Sequence, residues 1–283
     1  MGVRIIVDSG SDMELAYAAE HGVWVIPLKV AFADGEFAQD IDLSREDFYA
    51  RLVESDDIPS TSQVPPVEFQ RAFDGAVTAG DDVVCVCLSS KLSGTYDSAC
   101  AAAAAHPGRV FVVDSMNATI GERLLAERAI ALRDEGLGAQ AIAEQLEAER
   151  GDICLLGLLD TLEFLKKGGR ISSATAAVGG LLSIKPVVSV VDGEVVMVGK
   201  ARGSKQGNNL LRQKIVENGG VDFSRPVWLG YAGLDDALLR KYVQDSRELY
   251  DTEIPTPPVS LVGSVIGTHV GPGAIAVAFF MYK

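Results

Sequence analysis

Apolar residues along the chain fall into short, mostly uninterrupted runs separated by helix-length segments. Residues 3–7, 23–32, 83–88, 110–113 and 153–159 are strand-length runs rich in β-branched residues. An apolar run on successive positions, as in VVCVCL at 83–88, suits a strand covered on both faces. Between these runs, residues 12–21, 68–79, 93–105, 118–135 and 138–150 read as helices, the first capped by Asp12 and stopped by Gly22. Strands alternating with helices of this length imply crossover units and a mainly parallel sheet.

The rhythm changes after about residue 160. Residues 162–167 and 172–182 read as short helices, and 187–191 and 194–198 flank Asp192-Gly193, a strong hairpin signal. Helices near 205–217 and 235–250 then alternate with strands near 227–231, 259–262 and 274–281. The expected organisation is an α/β domain over residues 1–160 and an α+β domain over 161–283, meeting across a cleft.

Composition narrows the class. The chain has 283 residues, is 48% hydrophobic and 23% charged, and so has material for a sizeable core. No apolar stretch approaches the ~20 residues of a membrane span, and the N-terminus lacks a signal-peptide core, so a soluble cytoplasmic protein without an integral membrane segment is expected. Cys85, Cys87, Cys100 and Cys154 match neither a redox pair nor a zinc knuckle and read as reduced thiols. A net charge of −14 argues against nucleic acid. Residues 160–215 nevertheless carry nine Lys or Arg against four acids. Such a basic island is either a solvated surface or a place for an anionic ligand or acidic partner.

Common catalytic signatures are missing: there is no G-x-G-x-x-G after a strand, no complete phosphate loop and no G-x-S-x-G elbow. With only His21, His106 and His269, and no close acidic–His spacing, there is little on which to build a metal site. Four polar segments beside strands remain: DSGSD at 8–12, STSQVPP at 60–66, SSKLSGTY at 89–96 and IGTHVGPG at 266–273. Loops at the carboxyl ends of parallel strands are where open α/β sheets bind ligands. Ser and Asp at 8–12, and the hydroxyls at 60–62, are also what ordinary helix caps look like. Ser93 and Thr95 offer hydroxyls beside helix-end amides, and Gly94 would let a ligand approach the backbone, which makes this the best anion site. His269 sits in what reads as a Gly-rich loop before the terminal strand.

Taken in order, VDSGSD, IPLKV, TSQ, LSGTY, VVDS, FLKKGGRIS, IKPVV, KARG and IGTHVGPGA resemble the DegV family of bacterial fatty-acid-binding proteins along nearly the whole chain. Departures are small: Gly10 stands where Thr is common, and Val64-Pro65-Pro66 replaces a Pro-Ser run. The resemblance implies a parallel-sheet α/β domain, a smaller α+β domain, and a long-chain fatty acid as ligand, with no other cofactor and no metal. It implies that Thr61 and Ser93 hold the carboxylate, with Ser62, Gly94 and Thr95 assisting. It puts His269, Ser9 and Gly10 near the head group, and Lys167, Arg170 and Arg202 towards a partner or phosphate. The implied partner is the ATP-binding subunit of a fatty-acid kinase, which would phosphorylate the carboxyl group, so the chain itself would be a carrier and not an enzyme.

The residues fit such a ligand. Roughly fifteen methylenes supply on the order of 12 kcal/mol of gross transfer energy, provided the carboxylate is not left unpaired. Helices carrying Ile120, Leu124, Leu181 and Leu182 are candidates for lining the tail. Two other readings stay open at this level: an acyl hydrolase with Ser93 as nucleophile and His269 as base, and a sensor of small hydrophilic acids. The first requires Ser93 and His269 to meet; the second requires a short polar pocket.

Overall fold

The computed structural model describes residues 2–171, 184–250 and 257–282. The helix expected over 172–182, with Leu181 and Leu182, lies outside the described residues. In chain order the first half comprises β1 (Val3–Asp8), α1 (Leu15–Glu20), β2 (Trp24–Ile26), β3 (Lys29–Ala31), β4 (Phe37–Gln39), α2 (Arg45–Glu54), β5 (Ser60–Ser62), α3 (Pro66–Thr78), β6 (Asp82–Cys87), α4 (Thr95–Ala103), β7 (Val110–Asp114), α5 (Thr119–Asp134) and α6 (Ala139–Glu149). The second half comprises β8 (Ile153–Leu158), α7 (Glu163–Lys167), β9 (Ile184–Val191), β10 (Glu194–Arg202), α8 (Ser204–Glu217), β11 (Val227–Ala232), α9 (Ala237–Asp245), α10 (Arg247–Tyr250), β12 (Val259–Leu261), α11 (Ser264–Val270) and β13 (Ala274–Phe280).

Three sheets organise these elements. The first is fully parallel, in the order β2-β1-β6-β7. Its strands are apolar on successive positions because both faces are covered. Val83, Cys85 and Cys87 of β6 enter one core with Phe69 and Phe73 of α3, while Val84 and Val86 enter another with Leu124 and Leu125 of α5. The second sheet runs β10-β9-β8-β13-β11-β12 and is antiparallel except for the β11–β12 pair. A small antiparallel sheet, β4-β3-β5, completes the frame. Together these form the expected α/β architecture with a parallel sheet and a separate mixed sheet.

Helix α5 is packed between the two large sheets. Its apolar residues share a core with Ile5 and Val7 of β1 and with Leu155, Trp228, Ala278 and Phe280 of the six-stranded sheet. The side chain of Arg123, almost wholly buried, lies over the Trp228 ring at 3.5 Å, pairs with Glu127 at 3.1 Å and also pairs with Glu14. A buried cation is tolerable there because both its charge and its flat faces have partners.

Several local expectations need correction. Strand β8, read with the first half, pairs antiparallel with β9 and β13 in the six-stranded sheet. Its unbroken apolar sequence does not reveal which sheet it joins. The run at 23–32 is two strands in two sheets, divided at Pro27, which has no N–H to donate to a ladder. Asp12 does not cap α1. It adopts a left-handed conformation (φ 54°), and its carboxylate accepts from the Gly263 N–H (2.8 Å) and the Thr119 hydroxyl (2.5 Å). The 266–273 segment is helix α11 followed by a glycine turn, not a loop. The hairpin at Asp192-Gly193 is as expected, with positive φ at both residues (51° and 83°), the geometry of a type I′ turn.

Candidate functional site

Polar side chains converge where β5, the β6–α4 connection, α7 and α11 meet. Strand β5 presents Thr61 from the register position opposite Val30 of β3. The Thr61 hydroxyl lies 2.8 Å from Nε2 of His269, in the last turn of α11. Glycines permit this approach. A Cβ on Gly168, at the end of α7, would lie 2.2 Å from Nδ1 of His269, and one on Gly271 (φ 72°) would lie 2.4 Å from the Phe164 ring. Gly168 also accepts, through its carbonyl, from Nη1 of Arg170 (2.6 Å), whose Nε donates to the carbonyl of Leu92 (3.0 Å).

Next to Leu92, Ser93 precedes α4. Its Oγ accepts from the Thr95 N–H (3.3 Å) and lies 2.9 Å from the Thr95 hydroxyl, and Thr95 Oγ1 accepts from the Val64 N–H (3.3 Å). Val64 is three residues beyond Thr61. The contacts therefore form a closed circuit from Thr61 through His269, Gly168, Arg170, Leu92, Ser93, Thr95 and Val64, and back along the chain to Thr61.

The circuit borders a cavity whose empty space, including the part open to solvent, is about 980 Å³. Thr61, Ser62, Gln63, Ser93, Arg170 and His269 contribute to its wall, but most of the lining is apolar. Leu155, Gly157 and Leu159 come from β8 and its end, Val188 and Val190 from β9, Ala274 and Ala276 from β13, and Val265, Ile266 and Val270 from α11. The two remaining polar liners turn their protons elsewhere: Thr119 donates to Asp12, and Ser189 donates to the Leu155 carbonyl (2.9 Å). The cavity thus has a polar rim and an apolar bore, the division a long amphipathic acid requires.

Burial, reinforced by the nearby Arg170 charge, lowers the His269 pKa to about 4, so the imidazole is neutral at physiological pH. Arg170 is the fixed positive charge at the rim.

The other candidates are placed differently. Thr95 is fully buried and touches the cavity only through Ser93. The space opened by Gly94 is occupied by the Gln63 amide, since a Cβ there would lie 2.1 Å from Gln63 Oε1. Ser9 and Gly10 do not line the cavity: Ser9 Oγ accepts from the Leu28 N–H (3.0 Å), and the Gly10 N–H donates to Asp8 (2.8 Å). Lys167 is exposed and pairs with Glu163 at 3.3 Å, and Arg202 is exposed on β10. Ile120 and Leu124 are buried between the two large sheets and do not line the bore.

Ser93 and His269 do not form a nucleophile–base pair. The ring nitrogen facing the site is engaged by Thr61, and Ser93 by Thr95, so the hydrolase geometry is not present. Among the described residues, no group of three or more His, Cys, Asp or Glu could hold a metal ion, and no helix is long and apolar enough to cross a membrane.

A cluster of buried acids escaped sequence reasoning. Asp8 and Asp12 are fully buried, and burial pushes each carboxyl up to about 7. Glu122 is raised well above the usual carboxylate range by burial and then by Asp8 and Asp12, and neither of its oxygens has a hydrogen-bond partner among the described residues. Asp8 and Asp12 were visible in DSGSD, but nothing in the spacing of Glu122 marks it as their neighbour. The cluster supports the site indirectly: Asp8 accepts from the Leu88 N–H (2.9 Å) and Asp12 from Thr119, both lining residues.

The chain is similar to known proteins along nearly its whole length. The family described as "Uncharacterised protein, DegV family" matches residues 2–281. A DegV domain-containing protein of Deinococcus radiodurans is 36% identical, with 98% of each chain covered. A DegV family protein of Thermus thermophilus, solved for its fatty acid binding, is 32% identical with a TM-score of 0.88, covering 99% of this chain and 100% of that one. A Thermotoga maritima protein whose structure is described as revealing fatty acid binding function is 28% identical with a TM-score of 0.84 over the whole of both chains. A match from the second residue nearly to the last, on a fold shared with both solved structures, makes this chain a member of the DegV family.

Proposed function

We propose that the protein binds one long-chain fatty acid without covalent chemistry, its carboxylate at Thr61 and Ser93 and its tail in the apolar bore. The observation that carries this reading is the closed polar circuit at the rim of an otherwise apolar cavity. Hydroxyls and Arg170 supply the partners an anion needs on leaving water, and the bore supplies the transfer energy. The relatives from Thermus thermophilus and Thermotoga maritima, described as fatty-acid-binding, support it. A short polar acid would leave the bore empty, which disfavours a sensor of small hydrophilic acids. Ser62 and Gln63 are additional rim contacts. The test is titration of delipidated protein with oleate: a melting temperature that rises with ligand concentration supports the reading, and an unchanged one contradicts it.

The protein's further role is to present the carboxylate to a separate ATP-dependent kinase subunit in the cytoplasm for conversion to an acyl-phosphate. Arg170 at the rim and the exposed Lys167 and Arg202 support this, since basic side chains are out of character with a net charge of −14. Arg202→Ala and Lys167→Ala should retain bound lipid while slowing acyl-phosphate formation by a purified kinase subunit with ATP, most clearly at low ionic strength. Unimpaired turnover by both variants would remove the partner half of the reading.

A further inference from the structure

Two of the rim hydroxyls, those of Ser93 and Thr61, are each held by a second group, Thr95 behind the wall and His269 within it, and the direction of those hydrogen bonds determines what the rim can recognise. Thr95 is completely buried, and its Oγ1 already accepts the Val64 N–H at 3.3 Å. Among the described residues, the one acceptor within reach of the Thr95 hydroxyl proton is Ser93 Oγ, at 2.9 Å. Ser93 Oγ also accepts the Thr95 N–H at 3.3 Å. With both lone-pair positions of Ser93 occupied, its own proton has to be donated elsewhere, and the cavity is the open direction.

The other hydroxyl is governed by His269. Nδ1 of this ring is buried and has no hydrogen-bond partner among the described residues. A Cβ on Gly168 would fall 2.2 Å from Nδ1, so the group facing that nitrogen is the Gly168 Cα–H. A C–H is a weak donor and cannot accept a proton, so it tolerates a lone pair there but not an N–H. Orphaned buried N–H groups are also the rarer kind of unsatisfied atom. The ring proton therefore belongs on Nε2, which donates to Thr61 Oγ1 at 2.8 Å and leaves the Thr61 proton free for the cavity.

We propose that Thr95 is a positioning residue that locks Ser93 as a proton donor, so that the rim, where His269 also holds Thr61, selects an ionised carboxylate over an uncharged head group on the same chain. This rests on the fatty-acid reading above and adds to it the source of head-group selectivity. A carboxylate accepts both bonds; an alcohol must place its own proton against a rim that already presents two.

The test compares oleate with oleyl alcohol, which differ only at the head group, on delipidated wild type, Thr95→Val and Thr95→Ser. Hydrogen bonds to a charged group are each worth about ten-fold or more in binding. The wild type should therefore prefer oleate by at least ~10-fold. Thr95→Val, which keeps shape but loses the hydroxyl, should lose about ten-fold in oleate affinity with little change for the alcohol. Thr95→Ser should restore the preference, which a purely structural role for Thr95 does not require. A folded Thr95→Val protein with the wild-type preference would overturn the proposal. Failure of the wild type to bind oleate would overturn the fatty-acid reading with it. Neutron diffraction of the deuterated wild-type oleate complex decides the matter even if Thr95→Val does not fold. Deuterons running from Thr95 to Ser93 and from Ser93 to the ligand are expected, and a reversed order would refute it.

Discussion

At the scale of single residues, the site depends on which groups touch the ligand and which act through them. Thr61 and Ser93 lie on one circuit and, in the fatty-acid reading, share one carboxylate. Ser93→Ala should weaken oleate binding by roughly ten-fold or more, and the Thr61→Val/Ser93→Ala pair should be non-additive, as contacting groups are. Additive losses would place the hydroxyls on separate ligands. His269 supplies a second check. Its folded-state pKa is depressed from 6.5 to about 4, so its contribution to stability is whole above the unfolded value and is lost as pH falls through the folded one. An NMR titration should show the His269 ring still neutral at pH 5.5. A midpoint near 6.5 would mean that the ring is solvated and not held against Thr61.

Among elements, the decisive contact is the docking of α7 on α11, two short helices that would be marginal alone. Gly271→Ala would put a methyl 2.4 Å from the Phe164 ring at a φ of 72°. Left-handed strain of about 1–2 kcal/mol adds to an overpacking cost of about 1–3 kcal/mol. A fall in melting temperature of at least ~4 °C, with weakened oleate binding, is the expected outcome; wild-type stability would show that α7 is not seated there. This region also shows how far the sequence can be read. TSQ, LSGTY and IGTHVGPG stand out as polar, glycine-bearing interruptions between apolar runs, so Thr61, Ser93 and His269 were legible. That α11 is helical was not, because its glycine content argues for a loop. Gly267 is tolerated inside the helix because the Phe48 ring and the Tyr49 hydroxyl fill its side-chain space, with a Cβ there only 2.7 Å from each. The bore was illegible for another reason. Strand β8 is apolar on both faces, with Cys154, Leu156 and Leu158 entering one core while Leu155 and Gly157 face the cavity. Alternation between two apolar environments leaves no period-two signal.

For the whole molecule, the buried acids connect proton balance to the frame that carries the site. A formal charge of −14 counts Asp8, Asp12 and Glu122 as ionised, although burial raises all three. The folded form holds protons that the unfolded chain would release, so their stabilising contribution is complete below the ordinary carboxylate range and fades as pH rises through about 7. Glu122→Gln keeps the uncharged shape at every pH. Its advantage over the wild type should grow between pH 5 and pH 8, read from denaturant melts at both pH values. A difference that does not change with pH would mean that Glu122 is not a buried neutral acid. The central claim, a polar rim closing an apolar bore around one acyl chain, is tested most directly by native mass spectrometry of freshly purified protein followed by denaturation. The expected result is a mass increment of a single fatty acid per chain, released intact on denaturation and reduced in the Thr61→Val/Ser93→Ala variant. A ligand-free mass that stays unchanged after incubation with oleate would contradict it.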